Sequence, residues 1–173
     1  MTAGAAGGGT AGGGAYGFRP ASAADLPLLR TWIARPHVRA WWGEGDPFDA
    51  GDLESPLFAA WIVETGGRSF AYMQDYAVHG FEADHHLGFL PPGARGIDQF
   101  IGEPDMTGRG HGTAFIGQRV RAMFGSCVPA VGTDPHPDNA RAIKAYRKAG
   151  FRAEGPPRET RWGLVQPMAA HLD

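Results

Sequence analysis

The sequence is poor in cysteine and has no long apolar run, and each shortage excludes a class of protein. Cys127 is the only cysteine, so an intrachain disulfide is impossible and a reducing, cytoplasmic location is expected. No stretch reaches the ~18 consecutive apolar residues of a membrane-spanning helix, so we expect no membrane partner. The first residues also lack the basic and apolar regions of a secretory signal.

Residues 1–15 differ in composition from the rest of the chain. They contain only Met, Thr, Ala and Gly, so they carry no charged side chain and nothing that packs into a core. This composition is typical of a flexible tail. Residues 16–173 are enough for one domain of ordinary size, and the chain as a whole is 43% hydrophobic. We therefore expect a single folded domain after the tail, without an internal linker.

Charge is unevenly distributed, although the formal net charge is only −2. Residues 43–105 include twelve acidic and two basic side chains, whereas the residues from 106 onward include ten basic and five acidic ones. We expect the middle of the chain to attract cations and the C-terminal part to attract anions; solvated surface is the alternative for any single residue. The pI near 6.4 and the lack of a recognisable reader motif argue against nucleic-acid binding.

Local patterns predict alternating strands and helices. A strand opens the domain, and Ser22 with Asp25 forms a capping box that starts a helix at Ser22. Two runs rich in aromatic and β-branched residues flank residues 65–68 and predict a hairpin. A later helix is expected to have Asp138 as its N-cap and Gly150 just after its end. Two strands are predicted to close the domain.

A glycine-rich loop, MTGRGHGTAFIG over residues 106–117, opens a helical pattern. Free backbone N–H groups and the helix dipole make such a loop an anion-binding site. A P-loop requires Lys and then Ser or Thr after the last glycine, where Gln118 and Arg119 stand instead. A dinucleotide fingerprint requires a third glycine, and Thr113 or Phe115 stands there, depending on the starting glycine. Both of these nucleotide-binding motifs are therefore excluded.

Two motifs, in order and separated by one strand, resemble the GNAT superfamily of acetyl-CoA-dependent N-acetyltransferases. The first, residues 107–112, is similar to the family's pyrophosphate-binding motif, with Thr107 where Arg or Gln is usual. The second comprises Asn139, Ala142, Tyr146, Lys148, Gly150 and Phe151. The resemblance spans residues 17–166. It implies an α/β (α+β) GNAT fold: a mixed, mostly antiparallel sheet flanked by helices, with splayed central parallel strands.

Within the superfamily the chain looks most like the aminoglycoside 6′-N-acetyltransferases. The likeness is carried by residues 37–46, 72–80, 95–102 and 132–151. It implies acetylation of a polycationic small molecule at the 6′-amine, and hence antibiotic resistance, by a monomer or a homodimer. Siderophore-pathway acetyltransferases share the paired tryptophans and remain an alternative. So do other small-amine acyltransferases and, in another functional class, a non-catalytic acyl-CoA-binding module.

Acetyl transfer requires an amine that loses its proton and a leaving sulfur that is stabilised. Asp98 interrupts an apolar strand, where an ionised carboxylate is costly unless it has a partner such as a substrate ammonium. The resemblance implies that Asp98 binds or deprotonates the acceptor amine; a hydrogen bond to a neighbouring loop is the alternative. It also places the hydroxyl of Tyr146, as the acid, beside the CoA sulfur; a core aromatic is the alternative. Nothing suggests a base beside Cys127, which we expect to be buried, so direct transfer is predicted.

Acetyl-CoA is the only cofactor or co-substrate that the resemblance implies. The residues expected to bind it are Phe100, Ile101, Thr107, Gly108, Arg109, Gly110, His111, Gly112, Thr113 and Asn139. For Asn139 the alternative is a helix-capping residue. No metal is expected, because the adjacent His85 and His86 lack the spacing of a zinc site and have no cysteine nearby.

The acceptor is expected to contact acidic and aromatic residues. These are Trp41, Trp42, Asp75, Glu82, Asp84, Asp98, Asp134 and Glu159. The two tryptophans suit stacking on sugar rings, with core packing as the favoured alternative. One loop departs from the family pattern: Ala83 stands at its acidic position, and His85 and His86 replace two tryptophans. Glu82 and Asp84 are the candidates to substitute for the missing acid.

Overall fold

The computed structural model of the chain describes residues 16–43, 45, 47–48, 50–55, 57–80 and 85–172. The expected flexible tail lies outside the described residues, and so do Glu82 and Asp84. No helix in the described part of the chain is long and apolar enough to cross a membrane.

Nine strands and five α-helices occur in the described residues, together with short 3₁₀ turns at Ala23–Asp25 and Pro104–Met106. The strands are β1 (Gly17–Pro20), β2 (Phe58–Thr65), β3 (Arg68–Ala77), β4 (Arg95–Ile101), β5 (Ala130–Thr133), β6 (Arg152–Ala153), β7 (Arg158–Thr160), β8 (Gly163–Val165) and β9 (Met168–His171). The helices are α1 (Leu26–Ile33), α2 (Pro36–Trp42), α3 (Ala50–Glu54), α4 (His111–Gly125) and α5 (Ala140–Lys148).

Seven strands form one sheet in the order β1-β2-β3-β4-β5-β9-β6, and β7 pairs with β8 in a separate hairpin. Every pair in the main sheet is antiparallel except β4 and β5, which are parallel. The predicted hairpin is formed by β2 and β3, with Gly66 and Gly67 at the turn. The mixed, mostly antiparallel sheet predicted from the sequence is confirmed.

The parallel strands β4 and β5 diverge soon after they meet. They pair only at Arg95–Val131 and Gly96–Gly132, although β4 is seven residues long. Gly96 is required at this point, because a Cβ there would collide with the ring of Tyr76. Beyond Gly96 no described strand pairs with the edge of β4 that faces β5, so the backbone polar groups there face an opening. This opening between splayed parallel strands, also predicted, positions the site.

Apolar clusters pack on both faces of the sheet. On one face α4 and α5 cover the strands, and Phe115 and Ile97 are fully buried there. On the other face α1 and α2 pack against Tyr72 and Phe100, and Trp32 of α1 is fully buried in this cluster. Because side chains alternate along a strand, successive residues of β3 and β4 point to these two different environments.

The structure corrects two predicted helix starts. The helix predicted from Ser22 opens with a 3₁₀ turn, and the α-helix begins only at Leu26. The capping box is present, since the backbone N–H of Ser22 donates to Asp25 at 2.9 Å. The N-cap of α5 is Asn139 rather than Asp138, because the Asn139 side chain accepts a hydrogen bond from the backbone N–H three residues later.

The end of the chain also differs from its prediction. Four strands, β6 to β9, replace the two that were expected, because breaks at Gly155, at residues 161–162 and at residues 166–167 divide the segment. Cys127 is exposed rather than buried, and it adopts a left-handed backbone (φ 61°) just after α4. Gly150 follows α5 with φ 101°, as predicted for the residue after a helix end.

Candidate active site

A cavity of about 380 Å³ lies between the splayed end of β4, the loop before α4 and one face of α5. We call it the donor cavity. Eight of the ten residues predicted to bind acetyl-CoA line it: Phe100, Ile101, Thr107, Gly108, Gly110, Gly112, Thr113 and Asn139. His37, which was not predicted to bind the cofactor, also lines this cavity and places Nε2 2.9 Å from the carbonyl oxygen of Ile101.

The N-terminus of α4 offers free backbone donors to the donor cavity. Gly108 (φ 72°) and Gly110 (φ 89°) adopt a left-handed backbone that other residues rarely adopt, and Gly110 is the N-cap of α4. As a glycine, Gly110 has no side chain to cap this helix end. The first N–H groups, those of His111, Gly112 and Thr113, lack partners within the helix because of its geometry. With the helix dipole, they favour a phosphate here.

Three cations of α5 line the same cavity, and none of them was predicted to bind the cofactor, although Lys148 belongs to the second motif. Arg141, Lys144 and Lys148 are exposed and follow one another at helical spacing, which places them on one face. Lys144 and Lys148 are the only lysines in the chain. The i, i+3, i+7 spacing of these cations was the signal that would have identified them. The donor cavity is therefore suited to a ligand with several negative charges.

Two residues predicted to bind the cofactor do not line the donor cavity. The guanidinium of Arg109 lies 3.4 Å from the carbonyl oxygen of Asp105. The Nδ1 of His111 lies 2.9 Å from the hydroxyl of Tyr16, and its ring packs 5.5 Å from the ring of Phe70. Burial, followed by the charge of Arg109, lowers the pKa of His111. The His111 side chain thus belongs to packing around β1.

A second cavity of about 450 Å³ adjoins the first, and we call it the acceptor cavity. Five residues line both cavities: Trp41, Trp42, Gln99, Asn139 and Ala142. The two cavities therefore meet at the splayed strands. Four residues predicted to contact the acceptor line it, namely Trp41, Trp42, Asp98 and Asp134. Trp42 also packs against Phe100, with ring centroids 5.0 Å apart, so core packing and cavity lining both apply to it.

Asp98 is a half-buried carboxylate in the wall of the acceptor cavity. It pairs across the sheet with Gln74 of β3, whose Nε2 donates to Oδ2 of Asp98 at 2.8 Å. Burial, followed by the nearby Asp134 carboxylate, raises the pKa of Asp98 to about 7, against the lowering effect of the Gln74 hydrogen bond. Asp98 is therefore a stronger base than an ordinary aspartate, and it is partly ionised at neutral pH.

Tyr146 is both a core aromatic and a wall of the acceptor cavity. Its ring lies 5.4 Å from that of Phe151, and only 4% of the residue is exposed. Gln99 Nε2 donates to the hydroxyl at 3.4 Å. Burial raises the pKa of Tyr146 to about 12. The phenol therefore stays protonated at neutral pH and has a hydrogen to donate.

Asp134 follows β5 and contacts the histidine pair that the sequence analysis could not place. Its Oδ2 contacts Nε2 of His86 at 2.7 Å. The rings of His85 and His86 stack 4.4 Å apart, and the backbone N–H of Leu87 donates to His85 Nδ1. Both histidines line the acceptor cavity, and so does Trp162, which the sequence analysis also missed.

Two residues predicted to contact the acceptor do not line its cavity. Asp75 lies on the opposite face of β3 from Gln74 and is 2% exposed. There its carboxylate binds Arg95 at 2.6 Å and Arg119 at 2.7 Å, which ties α4 to the sheet. Asp75 is thus buried in ion pairs and is corrected to a packing role. Glu159 is exposed on β7 and lies outside the residues that line the acceptor cavity.

Local ion pairs reduce the attraction for cations that we expected of residues 43–105. Glu103 binds Arg35 at 2.8 Å and Arg68 at 3.1 Å, and Asp105 binds Arg68 at 2.7 Å. The bond from Arg35 is the main reason that the pKa of Glu103 is lowered. These acids are neutralised by local arginines. Among the acidic residues that the structure describes, Asp98 and Asp134 are the two that line the acceptor cavity.

The chain matches the family described as "Acetyltransferase (GNAT) domain" over residues 21–157. It belongs to the GNAT acetyltransferases. This acetyltransferase is 34% identical, over 142 residues, to the aminoglycoside N(6′)-acetyltransferase type 1 of Klebsiella pneumoniae, with 76% of the chain and 71% of the relative covered. It is 43% identical over 65 residues to a kanamycin resistance protein of Rhizobium radiobacter, with 37% and 60% covered.

Solved structures of acetyltransferases also resemble this chain. AAC(6′)-Ib in complex with paromomycin and acetyl-CoA superposes with a TM-score of 0.81 at 29% identity, covering 91% of the chain and 94% of that protein. Its complex with coenzyme A and kanamycin gives 0.79 at 28% identity, covering 91% and 95%. The GNAT fold predicted from the sequence is confirmed. The acetyltransferase is an acetyl-CoA-dependent N-acetyltransferase, and the backbone donors and cations of the donor cavity fit that co-substrate.

Proposed function

We propose that this acetyltransferase transfers the acetyl group of acetyl-CoA to the 6′-amine of an aminoglycoside antibiotic and so confers resistance. The observation that carries the proposal is the pair of carboxylates, Asp98 and Asp134, in a cavity that opens onto the donor cavity. A polycationic amine supplies the positive charge that this pair lacks. The 34% identical relative is named for the same reaction, and solved relatives bind kanamycin and paromomycin.

Acetyl-CoA supplies an acetyl group activated as a thioester. The free N–H groups at the start of α4 bind its pyrophosphate, and the three cations of α5 add charge to the same cavity. The backbone of Phe100 and Ile101, beyond the point where β4 leaves β5, lines the pantetheine arm. Because acetyl-CoA is a cytoplasmic metabolite, we also propose that the reaction takes place in the cytoplasm.

Asp98 binds the acceptor ammonium and takes its proton. An alkyl ammonium has no lone pair and loses its proton only near pH ~10, so a base must act at neutral pH. The ionised form of Asp98 is that base, held in place by Gln74. Asp134 holds a second positive charge of the acceptor and orients it. Loss of this proton to Asp98 frees the nitrogen lone pair to attack the thioester carbonyl. The C–S bond breaks after the C–N bond forms, and the second proton of the nitrogen neutralises the departing thiolate, which gives the CoA thiol.

Tyr146 stabilises the charge that develops on the leaving sulfur. A thiol has a pKa of about 8.5, so a phenol with a pKa of about 12 is the weaker acid of the two. Tyr146 therefore acts by donating a hydrogen bond rather than by giving up its proton. This refines the role of acid that the sequence resemblance implied. Gln99, which donates to the Tyr146 hydroxyl, orients it.

Thiol release from acetyl-CoA, measured with a panel of amines, tests the proposed function. We expect turnover with kanamycin and none with a matched aminoglycoside that carries a hydroxyl at the 6′ position. Nuclear magnetic resonance of the product should place the acetyl group on the 6′-nitrogen. A preference for singly charged amines would favour a siderophore-type acyltransferase. Tight CoA binding without turnover on any amine would favour a non-catalytic binding module.

A further inference from the structure

One exposed aromatic side chain in the acceptor cavity has no role in the reaction described above. Trp162 lies at the turn between β7 and β8 and is 51% exposed, more than any other large hydrophobic residue in the described part of the chain. It lines the acceptor cavity. Half of an indole left in water beside a cavity is apolar area that a ligand covers favourably.

The surroundings of Trp162 hold its ring in place. The β7–β8 hairpin is separate from the main sheet, and its turn lies against the stacked histidine pair. The Trp162 ring centroid is 5.1 Å from that of His86 and 5.6 Å from that of His85. The Arg161 guanidinium lies 4.2 Å from the indole centroid. A ring fixed in this way loses little conformational entropy when a ligand packs on it.

His86 provides a second, independent indication of a ligand. Its side chain is 8% exposed, and Nδ1 has no hydrogen-bond partner in the described part of the chain. A buried polar atom without a partner is costly, so a ligand group that supplies the hydrogen bond is favoured. Nε2 also lies 2.7 Å from Asp134, which the proposed function assigns to acceptor binding. A hydroxyl or ammonium group of the acceptor therefore suits this position.

We propose that Trp162 and His86 determine specificity by binding a sugar ring of the acceptor other than the one that reacts. We call these two residues the His86–Trp162 wall. This inference rests on the proposed function. The contacts run from Trp162 to His86 to Asp134, whose charge acts on Asp98. Two residues thus stand between Trp162 and the base, so the wall contacts a part of the acceptor away from the reacting amine. The C–H face of the ring covers the indole, and a polar substituent binds His86.

Steady-state kinetics with kanamycin test the His86–Trp162 wall. Trp162→Ala should raise the KM for kanamycin about tenfold and the KM for acetyl-CoA less than twofold, while Trp162→Phe should restore most of the affinity. His86→Phe keeps a ring against Trp162 but removes both nitrogens, so it should raise the KM for kanamycin several-fold. Phe89→Ala is the matched control. Phe89 is 49% exposed and packs 5.1 Å from Arg158 of the same hairpin, but it does not line the acceptor cavity.

Each outcome decides the proposal. An unchanged KM for kanamycin in Trp162→Ala would overturn it, and an unchanged KM in His86→Phe would remove His86 from the wall. An equal rise in Phe89→Ala would show that Trp162 only places the hairpin, which also overturns the proposal. Tryptophan fluorescence of the wild type during kanamycin titration shows whether kanamycin binds, so a failure of the proposed function can be distinguished from a failure of the His86–Trp162 wall alone. If kanamycin is neither bound nor acetylated, the proposed function fails and the wall fails with it.

Discussion

Replacing Asp134 with Asn should shift the acidic limb of the pH profile of kcat/KM to lower pH. Asp98 must be ionised to act as the base, so activity rises with pH as Asp98 loses its proton. The pKa of Asp98 is about 7, and the carboxylate of Asp134 is the second cause of this value after burial. Removing that charge makes ionised Asp98 easier to form. The limb should therefore move down from about pH 7.

The size of the shift follows from the causes of the pKa. The ordinary value is 3.8, so the total rise is about three units, of which burial accounts for the larger share. We expect Asp134→Asn to lower the pKa by about one unit, the usual effect of one neighbouring charge. At pH 6 the ionised fraction of Asp98 would then rise from about a tenth to about a half, roughly fivefold. One unit corresponds to about 1.4 kcal/mol between the two protonation states.

The assay is thiol release from acetyl-CoA with kanamycin between pH 5 and pH 8, with each profile normalised to its own plateau. Normalisation removes the loss of acceptor affinity that Asp134→Asn also causes. Glu154→Gln is the control, because Glu154 pairs with His171 on the surface and lies outside the lining of both cavities. An acidic limb that stays in place or moves upward in Asp134→Asn would refute the coupling between the two carboxylates. So would a wild-type profile with no acidic limb near pH 7.

Three further results are expected. Tyr146→Phe should lower kcat by about a hundredfold and change the KM for kanamycin little, because the hydroxyl that stabilises the leaving sulfur is lost while the ring is kept; single-turnover rates check this. Lys144→Ala should raise the KM for acetyl-CoA several-fold and weaken its dependence on salt, and an unchanged salt dependence would remove Lys144 from the donor site. Glu103→Gln should cost about 1 kcal/mol of unfolding free energy at pH 7, because Arg35 loses its charged partner. Since that bond lowers the pKa of Glu103, its contribution is complete above the unfolded pKa and is lost as pH falls through the folded one. Urea unfolding at pH 7 and pH 3 should therefore show a smaller difference between wild type and variant at pH 3.

Sequence reasoning reached the residues whose role depends on local backbone chemistry. The glycines of residues 107–112 are identifiable because a loop before a helix needs a left-handed backbone and free donors, whereas the N-cap of α5 was predicted one residue early, at Asp138. Asp98 was readable because a carboxylate in an apolar strand needs a partner. The excess of acidic residues led to the prediction that Asp75 contacts the acceptor. Its pairing with Arg119 could not be predicted, because it depends on how α4 packs on the sheet.

The residues that were missed depend on contacts between distant segments. Trp162 and His86 are 76 positions apart in the sequence, and only the placement of the β7–β8 hairpin brings them together. Gln74 reaches Asp98 because of the strand register between β3 and β4, which local sequence does not define. The cations of α5 are different, since their helical spacing was visible along the chain. The splay of β4 and β5 was reached through the family resemblance and not through local pattern.

Turnover of kanamycin by Asp98→Asn tests most directly whether Asp98 is the base for direct acetyl transfer. Asn keeps the size of the side chain but cannot accept the proton. We predict that kcat/KM falls at least a hundredfold, while acetyl-CoA binding measured by calorimetry stays within twofold of the wild type. The Cys127→Ala variant should retain wild-type turnover, because Cys127 is exposed and lines neither cavity. Turnover that survives in Asp98→Asn but is abolished in Cys127→Ala would contradict the account.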